Sequence, residues 1–249
     1  MKTEWIRFLA ATAFLTRLPV PEACPLSKQL EGVARYFPLV GLVVGVIGAL
    51  TTWVAGLILP FSLAVLLGMM ATILVTGAFH EDGFSDACDG FGGGWDREQI
   101  LTIMKDSRIG SYGAIGITLL LLTKWNALRD VSEGALLFVI IAAHAVSRFA
   151  AVVLVFAMDY VREEGKSKAF VTMSAGDLVM AGVFGLMPCL LWPRLETALA
   201  LLWVMVVTFL SARYFLRRLG GYTGDCLGAT QQMTELAFYV GFLAQWNFG

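Results

Sequence analysis

The sequence predicts an all-α bundle of membrane-spanning helices that forms one domain over residues 1–249. Of its 249 residues, 58% are hydrophobic and 15% are charged, and the mean hydropathy is +0.75. A soluble domain ordinarily has about 25% charged residues. Long apolar runs recur from one end of the chain to the other, so we expect about six or seven spans in a lipid bilayer. The formal net charge of −1 argues against a nucleic-acid partner.

The first 35 residues are predicted to stay at one membrane surface. An amphipathic segment, Trp5 to Leu15, is followed by the run RLPVP that begins at Arg17. A proline disfavours the helical conformation in the residue before it, so the helix should end there. Charged residues interrupt the segment and no A-x-A-like cleavage site follows, so it is not a convincing signal peptide. We expect it to lie along the membrane interface.

The remaining spans are predicted from apolar length. Tyr36 to Phe79 contains no charged residue and is too long for one span, and Pro60 is expected to divide it into two helices of about 20 residues. Lys124 is expected to snorkel to the interface from the next span. The later spans are predicted at residues 111–128, 134–158, 178–193 and 197–212, with a short final run at 236–248.

The distribution of basic residues predicts the orientation. Cytoplasmic loops of membrane proteins are enriched in Lys and Arg. Alternate loops contain 12 of these residues, against 3 in the opposite loops. We therefore expect residues 80–113 and 220–235 both to face the cytoplasm. The twelve are Arg17, Lys28, Arg35, Arg97, Lys105, Arg108, Arg162, Lys166, Lys168, Arg213, Arg217 and Arg218, and the three are Lys124, Arg129 and Arg194.

An acidic stripe in the polar stretch 80–113 suggests a metal site. Asp82, Asp86 and Asp89 are spaced i, i+4 and i+7, which places them on one face of a helix, with Glu81 at its edge. Like charges this close repel unless a cation binds between them, and Mg²⁺ or Mn²⁺ prefers all-oxygen ligands. The alternative is a solvated acidic loop. We predict that these four carboxylates bind a divalent cation.

Glycines and basic residues after the stripe suggest a phosphate site. Gly92 and Gly93 belong to a glycine-rich run that permits close approach of the backbone to a ligand. Lys105 and Arg108 follow in KDSRIG, where a point charge and a planar fork suit a diphosphate. The alternatives are a flexible connector for the glycines and membrane anchoring for the basic residues.

Two further positions are candidate site residues. Asp225 lies in a second polar segment, residues 220–235, where it is placed to complete a metal shell or to act as a base. Its alternative is an ordinary loop residue. Arg148 lies well inside a predicted span, four residues after His144, and an intramembrane arginine normally faces the bundle or a polar cavity. Arg148 is therefore expected either to contact the substrate or to form a structural ion pair.

The run EDGFSDACDGFGGGWDREQILTIMKDSRIGSYG, which begins at Glu81, closely resembles the cobalamin synthase family of adenosylcobinamide-GDP ribazoletransferases. FLTRLPVP upstream and GGYTGDCLGA downstream carry the same resemblance, so that the three blocks span nearly the whole chain in the family's order. The resemblance implies an inner-membrane enzyme that uses Mg²⁺. It also implies a reaction that joins adenosylcobinamide-GDP to α-ribazole or its 5′-phosphate and releases GMP.

This combined interpretation assigns roles to individual residues. Phosphoryl transfer needs a cation to neutralise a diphosphate and a group to accept a proton. The predicted metal ligands are Glu81, Asp82, Asp86 and Asp89. The predicted catalytic residues are Asp82, Asp89 and Asp225, and the predicted substrate-binding residues are Gly92, Gly93, Lys105, Arg108 and Arg148.

The sequence is also compatible with three alternative functions. The run Asp86-x-x-Asp89-Gly90 resembles the opening of the CDP-alcohol phosphotransferase motif, which would imply a phospholipid synthase. However, no Ala-Arg follows the glycine, and the later D-x-x-x-D pair is missing. A transporter would use Arg148 and the acidic stretch as an ion path, but transporters often contain internal repeats, and none is found in the sequence. A membrane scaffold would leave the carboxylate stripe unexplained.

Overall fold

The computed structural model describes residues 2–21, 31–162 and 172–244. Within these residues the protein consists of ten α-helices and two 3₁₀ turns, with no β-strand. The α-helices are α1 (Lys2–Leu15), α2 (Phe37–Gly56), α3 (Phe61–Thr76), α4 (Phe79–Gly93), α5 (Arg97–Ile103), α6 (Ser111–Asp130), α7 (Glu133–Ala157), α8 (Ala175–Leu186), α9 (Leu195–Leu219) and α10 (Gly224–Leu243), and the 3₁₀ turns are Val33–Tyr36 and Met187–Leu191. The predicted loop cations Lys28, Lys166 and Lys168 and the end of the last predicted span lie outside the described residues.

The helices are consistent with a membrane bundle, but fewer of them are long and apolar enough to span a membrane than the sequence predicts. Among the described residues, three helical segments are long and apolar enough to cross a bilayer: Val33–Gly56, Glu133–Ala157 and Leu195–Leu219. A fourth is obtained if α3 and α4 count as one span, although they meet at an angle of 87°. The predicted fifth span, residues 178–193, becomes the short α8 and a 3₁₀ turn. The predicted count of six or seven spans is therefore not confirmed.

The predicted break at Pro60 is confirmed, and glycines explain how α2 packs on both sides. A Cβ atom on Gly48 would lie 2.5 Å from the Thr72 side chain of α3. On its other side, a Cβ atom on Gly45 would lie 2.8 Å from the Cα atom of Ile141 in α7. The missing side chains let α2 approach both neighbours closely. This packing places α7 in the centre of the bundle, where 78% of its most apolar 18-residue window is buried.

The bend between α3 and α4 depends on two residues in left-handed conformations. Gly77 has φ of 66°, and Ala78 has φ of 58°. The backbone N–H of Arg17 donates to the Val75 carbonyl at 2.7 Å, which satisfies one of the last carbonyls of α3. The acidic helix α4 therefore leaves the direction of α3 and turns towards α10.

The C-terminal part of the chain differs from its prediction. A polar segment at residues 220–235 followed by a separate span was expected, but the structure has the continuous helix α10. Its start is fixed by Thr223, whose hydroxyl accepts a hydrogen bond from the Cys226 N–H at 3.2 Å. Its polar side chains Gln231 and Glu235 are buried and find partners on other helices. Tertiary contacts thus allow a polar sequence to continue as a buried helix.

One end of the bundle collects the polar features, and we call it the polar end. The segment after α7 pairs with the segment before α10, since the Val161 N–H donates to the Tyr222 carbonyl at 3.0 Å. At the end of α9, Arg218 donates to the Gly94 carbonyl at 2.7 Å, just after α4. The ends of α4, α7 and α9 and the start of α10 therefore lie together.

Candidate active site

The acidic helix α4 crosses α10 where both helices carry glycine. A Cβ atom on Gly83 would lie 3.2 Å from the Asp225 Cα atom, and one on Gly228 would lie 3.2 Å from the Gly83 Cα atom. These distances are shorter than ordinary side-chain contacts, so the two backbones meet directly. The crossing places Asp225, in the first turn of α10, beside the acidic stripe of α4.

Asp82, Asp86 and Asp225 gather at this crossing, and we call them the mouth cluster. Burial, followed by the negative charges of Asp82 and Asp225, raises the pKa of Asp86 to about 7. Burial likewise raises the pKa of Asp225. Two sequence-predicted site residues of α4 and one of α10 are thus brought together, at the expense of mutual repulsion.

Arg162 is the counter-ion of the mouth cluster. Its Nη2 atom lies 2.6 Å from Asp225 Oδ2, and both side chains are mostly buried. The pairing of residues 159–161 with Tyr222 holds this segment against the start of α10. From the sequence, Arg162 is predicted only as a loop cation, because no spacing links residues that lie 63 positions apart.

Asp89 faces away from the mouth cluster and towards the start of α6. Its two carboxylate oxygens accept hydrogen bonds from the backbone N–H groups of Gly110, at 2.7 Å, and Gly113, at 2.8 Å. These bonds satisfy donors at the N-terminus of α6 and favour a negative charge there. The structure thus gives Asp89 a capping role, and its catalytic and metal-binding roles stay predictions.

Glu81 faces the interior of the bundle. Its Oε1 atom accepts a hydrogen bond from Gln232 Nε2 at 2.9 Å, and its buried Oε2 atom has no hydrogen-bond partner. It lines a cavity of about 20 Å³ together with Lys124 and Glu235. That volume is sufficient for one water molecule. Glu81 is therefore separated by its orientation from Asp82 and Asp86, although the sequence places all three on one acidic helix.

The fit of these carboxylates to a divalent cation is mixed. The donors are all carboxylate oxygens, which suits Mg²⁺, and the repulsion within the mouth cluster would be relieved by a cation. Across residues 2–21, 31–162 and 172–244, however, no three Asp, Glu, His or Cys side chains form a group that could hold a metal ion. The chemistry of the donors matches Mg²⁺, whereas their positions do not close a coordination shell.

An open groove of about 570 Å³ is lined by Asp89, Arg108 and the start of α6. Arg108 lies in an ion pair with Asp106, with its Nη2 atom 2.6 Å from Asp106 Oδ2. Hydrogen bonds from Arg108 lower the pKa of Asp106 to about 2. Because the Arg108 side chain is 86% exposed, an incoming phosphate can compete with Asp106 at little cost. Lys105, three residues before Arg108, is also exposed.

The glycine run has a packing role in the structure. Gly92 and Gly93 belong to the last turn of α4, where the structure has a regular helix. A Cβ atom on Gly92 would lie 2.5 Å from the Tyr112 ring, and one on Gly90 would lie 2.5 Å from Met104. The glycines therefore let α4 pack against α6 and the end of α5. Their predicted contact with a phosphate stays a prediction.

Arg148 is buried beneath the crossing of α4 and α10. It is 2% exposed, and its Nη1 atom donates to the His144 carbonyl at 3.0 Å. Gly41 makes room for it, since a Cβ atom there would lie 2.8 Å from Arg148 Cδ. Arg148 lines a cavity of about 20 Å³ with His80 and Gly228. The contacts that Arg148 makes with described residues are structural. Its predicted contact with a substrate stays a prediction.

A buried polar network lies under the mouth cluster and joins four helices; we call it the interior network. Lys124 belongs to it, and the expectation that this lysine snorkels to the interface is wrong, because Glu235 gives it a partner in the interior. Gln231 Nε2 donates to Glu235 Oε2 at 2.7 Å, and Gln232 Nε2 donates to Glu81 at 2.9 Å. The members are Glu81, Lys124, His144, Ser147, Gln231, Gln232, Glu235 and Tyr239.

Most of the interior network is not predicted from the sequence. Gln231 and Glu235 are one helical turn apart, which is the only local signal that they share a helix face. That signal has meaning only if residues 224–243 form one helix, whereas the sequence predicts a separate polar segment at residues 220–235. The contacts to α6 and α7 could not be deduced from spacing.

Comparisons with known proteins agree on one family. The profile described as "Cobalamin-5-phosphate synthase" matches residues 7–243. A protein of Ralstonia pickettii named adenosylcobinamide-GDP ribazoletransferase is 44% identical, and the match covers 98% of this chain and 97% of that protein. Proteins with the same name are 45% identical in Shewanella frigidimarina, covering 97% of both chains, and 38% identical in Leptospira interrogans, covering 99% and 98%. No solved structure matches the chain.

Proposed function

The chain belongs to the cobalamin-5-phosphate synthase family, and from this premise we propose the reaction that it catalyses. It is an adenosylcobinamide-GDP ribazoletransferase, which joins adenosylcobinamide-GDP to α-ribazole or its 5′-phosphate and releases GMP. The product is adenosylcobalamin or its 5′-phosphate. The match over residues 7–243 carries this proposal, because it includes every helix that contributes to the mouth cluster. It favours this transferase over the phospholipid synthase and the transporter.

The mouth cluster provides the chemistry of the transfer. A hydroxyl of the ribazole attacks the phosphorus on the corrinoid side of the diphosphate, and the bond from that phosphorus to the oxygen of GMP breaks. The hydroxyl proton passes to Asp225, a carboxyl whose pKa is raised by burial. Arg162, 2.6 Å from Asp225, fixes the carboxylate in place.

The groove beside Arg108 is the proposed site of the diphosphate. It contains Arg108 and the start of α6, where Ser111 and Tyr112 lie in the first turn. A helix N-terminus favours an anion, and an arginine supplies two parallel donors. Asp89 already uses the N–H groups of Gly110 and Gly113. Arg108 and the exposed Lys105 therefore supply most of the positive charge that the diphosphate meets.

Magnesium is the proposed cofactor, and the mouth cluster is its proposed position. Asp82 and Asp86 would hold it, with Asp225 as a further ligand if it does not act as the base. The cation would neutralise charge on the diphosphate. Support comes from Asp86, whose pKa is raised to about 7 by burial and then by the negative charges of Asp82 and Asp225; a divalent cation would relieve this repulsion.

The proposed orientation places the polar end in the cytoplasm and the bundle in the inner membrane. Arg162, Arg213 and Arg217 lie at or near this end, while Arg129 and Arg194 lie at the far ends of α6 and of the loop before α9. Basic residues are retained on the cytoplasmic side. The activated corrinoid and the ribazole would then reach the mouth cluster from the cytoplasm.

Purified protein in detergent micelles tests the proposal. Mixed with adenosylcobinamide-GDP and α-ribazole, it should release GMP and form the joined corrinoid in equal amounts, and omission of α-ribazole should prevent both. The variant Asp225→Asn should lose this activity. Asp159→Asn is the matched control, because Asp159 lies at the same end of the bundle outside the mouth cluster. GMP release without a joined product, or equal activity of both variants, would contradict the proposal.

A further inference from the structure

An apolar groove runs between α7 and α9, and no residue of the mouth cluster lines it. It has a volume of about 570 Å³ and is lined by Ala150, Val153 and Ala157 of α7, and by Met205, Thr208 and Phe209 of α9, among other apolar residues. We call it the α7–α9 groove. Helix α8 packs on α7 and leaves the groove open, with Leu186 at its border. Thr208 is its single polar lining residue among those described.

The groove continues into a second cavity that carries two arginines. Phe209 and Ala212 line both cavities, and the second one adds Arg213, Leu216 and Arg217. The two arginines are four residues apart on α9 and therefore point to the same side of the helix. Both are exposed. An apolar channel and a pair of cations thus form one continuous surface.

The arginines have no internal role in the described part of the chain. Neither Arg213 nor Arg217 has an ion-pair or hydrogen-bond partner within residues 2–21, 31–162 and 172–244. Their neighbour Arg218 differs, because it donates to the Gly94 carbonyl at 2.7 Å and so ties α9 to α4. Two cations on a protein of net charge −1 are therefore available to an external anion.

The length and direction of the groove define the ligand. Its lining runs from Leu201 to Ala212 on α9, a distance of about 16 Å at 1.5 Å per residue. This is about half of a ~30 Å hydrocarbon core, the depth of one leaflet. Helix α7 runs alongside and ends at the same polar end, so the arginines stand where the head groups of that leaflet lie.

We propose that the α7–α9 groove binds an anionic phospholipid, with one acyl chain along α7 and α9 and the phosphate between Arg213 and Arg217. The site is separate from the mouth cluster and does not depend on the proposed reaction. Charge complementarity selects the anionic head group. The apolar lining holds the chain without selecting its chemistry, so selectivity resides in the two arginines.

Spin-labelled lipid in phosphatidylcholine nanodiscs tests the proposal. Electron paramagnetic resonance measures the immobilised fraction of a small amount of labelled phosphatidylglycerol, and labelled phosphatidylcholine gives the reference. The wild-type protein should immobilise phosphatidylglycerol preferentially. Arg217→Gln should reduce this preference about fivefold, and the double variant Arg213→Gln with Arg217→Gln should reduce it further. Arg97→Gln removes an exposed charge outside the groove and should change nothing.

A second pair of variants tests the apolar part. Thr208→Trp fills the groove and should release both labelled lipids, whereas Val206→Trp places the same ring on the exposed side of α9 and should not. If Thr208→Trp does not fold, Arg217→Gln still decides the question, because its side chain is exposed. Equal immobilisation of the two lipids by wild type, or competition for the groove by adenosylcobinamide-GDP, would overturn the proposal.

Discussion

Lys124 Nζ lies 2.8 Å from Glu235 Oε1, and the two side chains are 4% and 5% exposed. The pair joins α6 to α10 directly below the mouth cluster. Lys124 also donates to Gln232 Oε1 at 2.5 Å, and the Tyr239 hydroxyl donates to Glu235 Oε1 at 3.0 Å. These bonds satisfy most of the polar atoms of a pair that would be costly to bury alone. The pair therefore fixes the relative position of two helices that contribute to the site.

The variant Lys124→Met is expected to lower the free energy of unfolding by about 3–5 kcal/mol, because it leaves the Glu235 charge buried without its ammonium partner. Adding Glu235→Gln to this variant should restore most of the lost free energy of unfolding. Thermal unfolding in micelles, followed by tryptophan fluorescence, measures both. Arg129→Met is the control, since Arg129 is an exposed cation at the end of the same helix. If the double variant is no more stable than the single one, the pair is not coupled.

Gly83→Val is expected to reduce the rate of GMP release about 100-fold, since a displacement of about 1 Å between catalytic groups costs that much. The Cβ atom of valine would meet the Asp225 Cα atom at 3.2 Å, and its branches would push α4 and α10 apart. Gly134→Val is a matched control, because no atom lies within 4 Å of a Cβ atom built there. A wild-type rate for Gly83→Val would show that the two helices need not meet at this crossing.

Asp82 and Asp89 are expected to respond differently to removal, although they lie on one helix. Asp82→Ala should abolish turnover and leave thermal unfolding unchanged, because Asp82 is exposed. Asp89→Ala should lower the free energy of unfolding by about 1–3 kcal/mol, because it leaves two N–H groups of α6 without an acceptor. Parallel assays of turnover and unfolding separate the two effects. Unchanged stability of Asp89→Ala would contradict its capping role.

Asp86 is expected to destabilise the metal-free protein at high pH. The pKa of its carboxyl is raised from 3.8 to about 7, so the folded state holds a proton that the unfolded state has lost between these values. Stability should therefore fall as pH rises from about 4 to about 7. In EDTA, Asp86→Asn should be more stable than wild type at pH 8, with little difference at pH 4. Asp130→Asn, an exposed carboxyl at the other end of the bundle, should show neither effect.

Labelling of single cysteines in intact cells is expected to show which end of the bundle faces the cytoplasm. Trp95→Cys probes the polar end just after α4, and Ile58→Cys probes the opposite end between α2 and α3; these side chains are 91% and 82% exposed. An impermeant thiol reagent should label Ile58→Cys and spare Trp95→Cys. Lysed cells, where both should react, provide the control. The reverse pattern would invert the proposed orientation.

Some of the fold was predictable because it depends on local sequence. Apolar length predicted α2 and α7, and Pro60 predicted the break before α3, since proline acts on its immediate neighbours. The alternation of basic loops placed Asp225 at the same end as the acidic stripe, and the structure brings them together at the Gly83–Gly228 crossing. In each case the signal is carried by a few adjacent residues or by a count of charges.

The rest could not be predicted because it depends on partners far away in sequence. Lys124 is buried only because Glu235 arrives from another helix, and Arg162 joins the site only because it pairs with Asp225. The spacing of the acidic stripe correctly predicts that its carboxylates lie on one helix, but it does not predict which neighbouring helix each carboxylate faces. Asp89 faces the N-terminus of α6, where Gly110 donates to it, and Glu81 faces the interior, where Gln232 of α10 donates to it.

The buried pair also has a consequence for how the protein is made. Helix α6 is synthesised well before α10, since Lys124 precedes its hydrogen-bond partner Gln232 by 108 residues. A charged side chain is expensive in lipid until its partner arrives. During that interval Lys124 must reach water or be sheltered by the insertion machinery, and the bundle can close only when the last helix is released. A ribosome that stalls before α10 would leave Lys124 without its partner in an incomplete bundle.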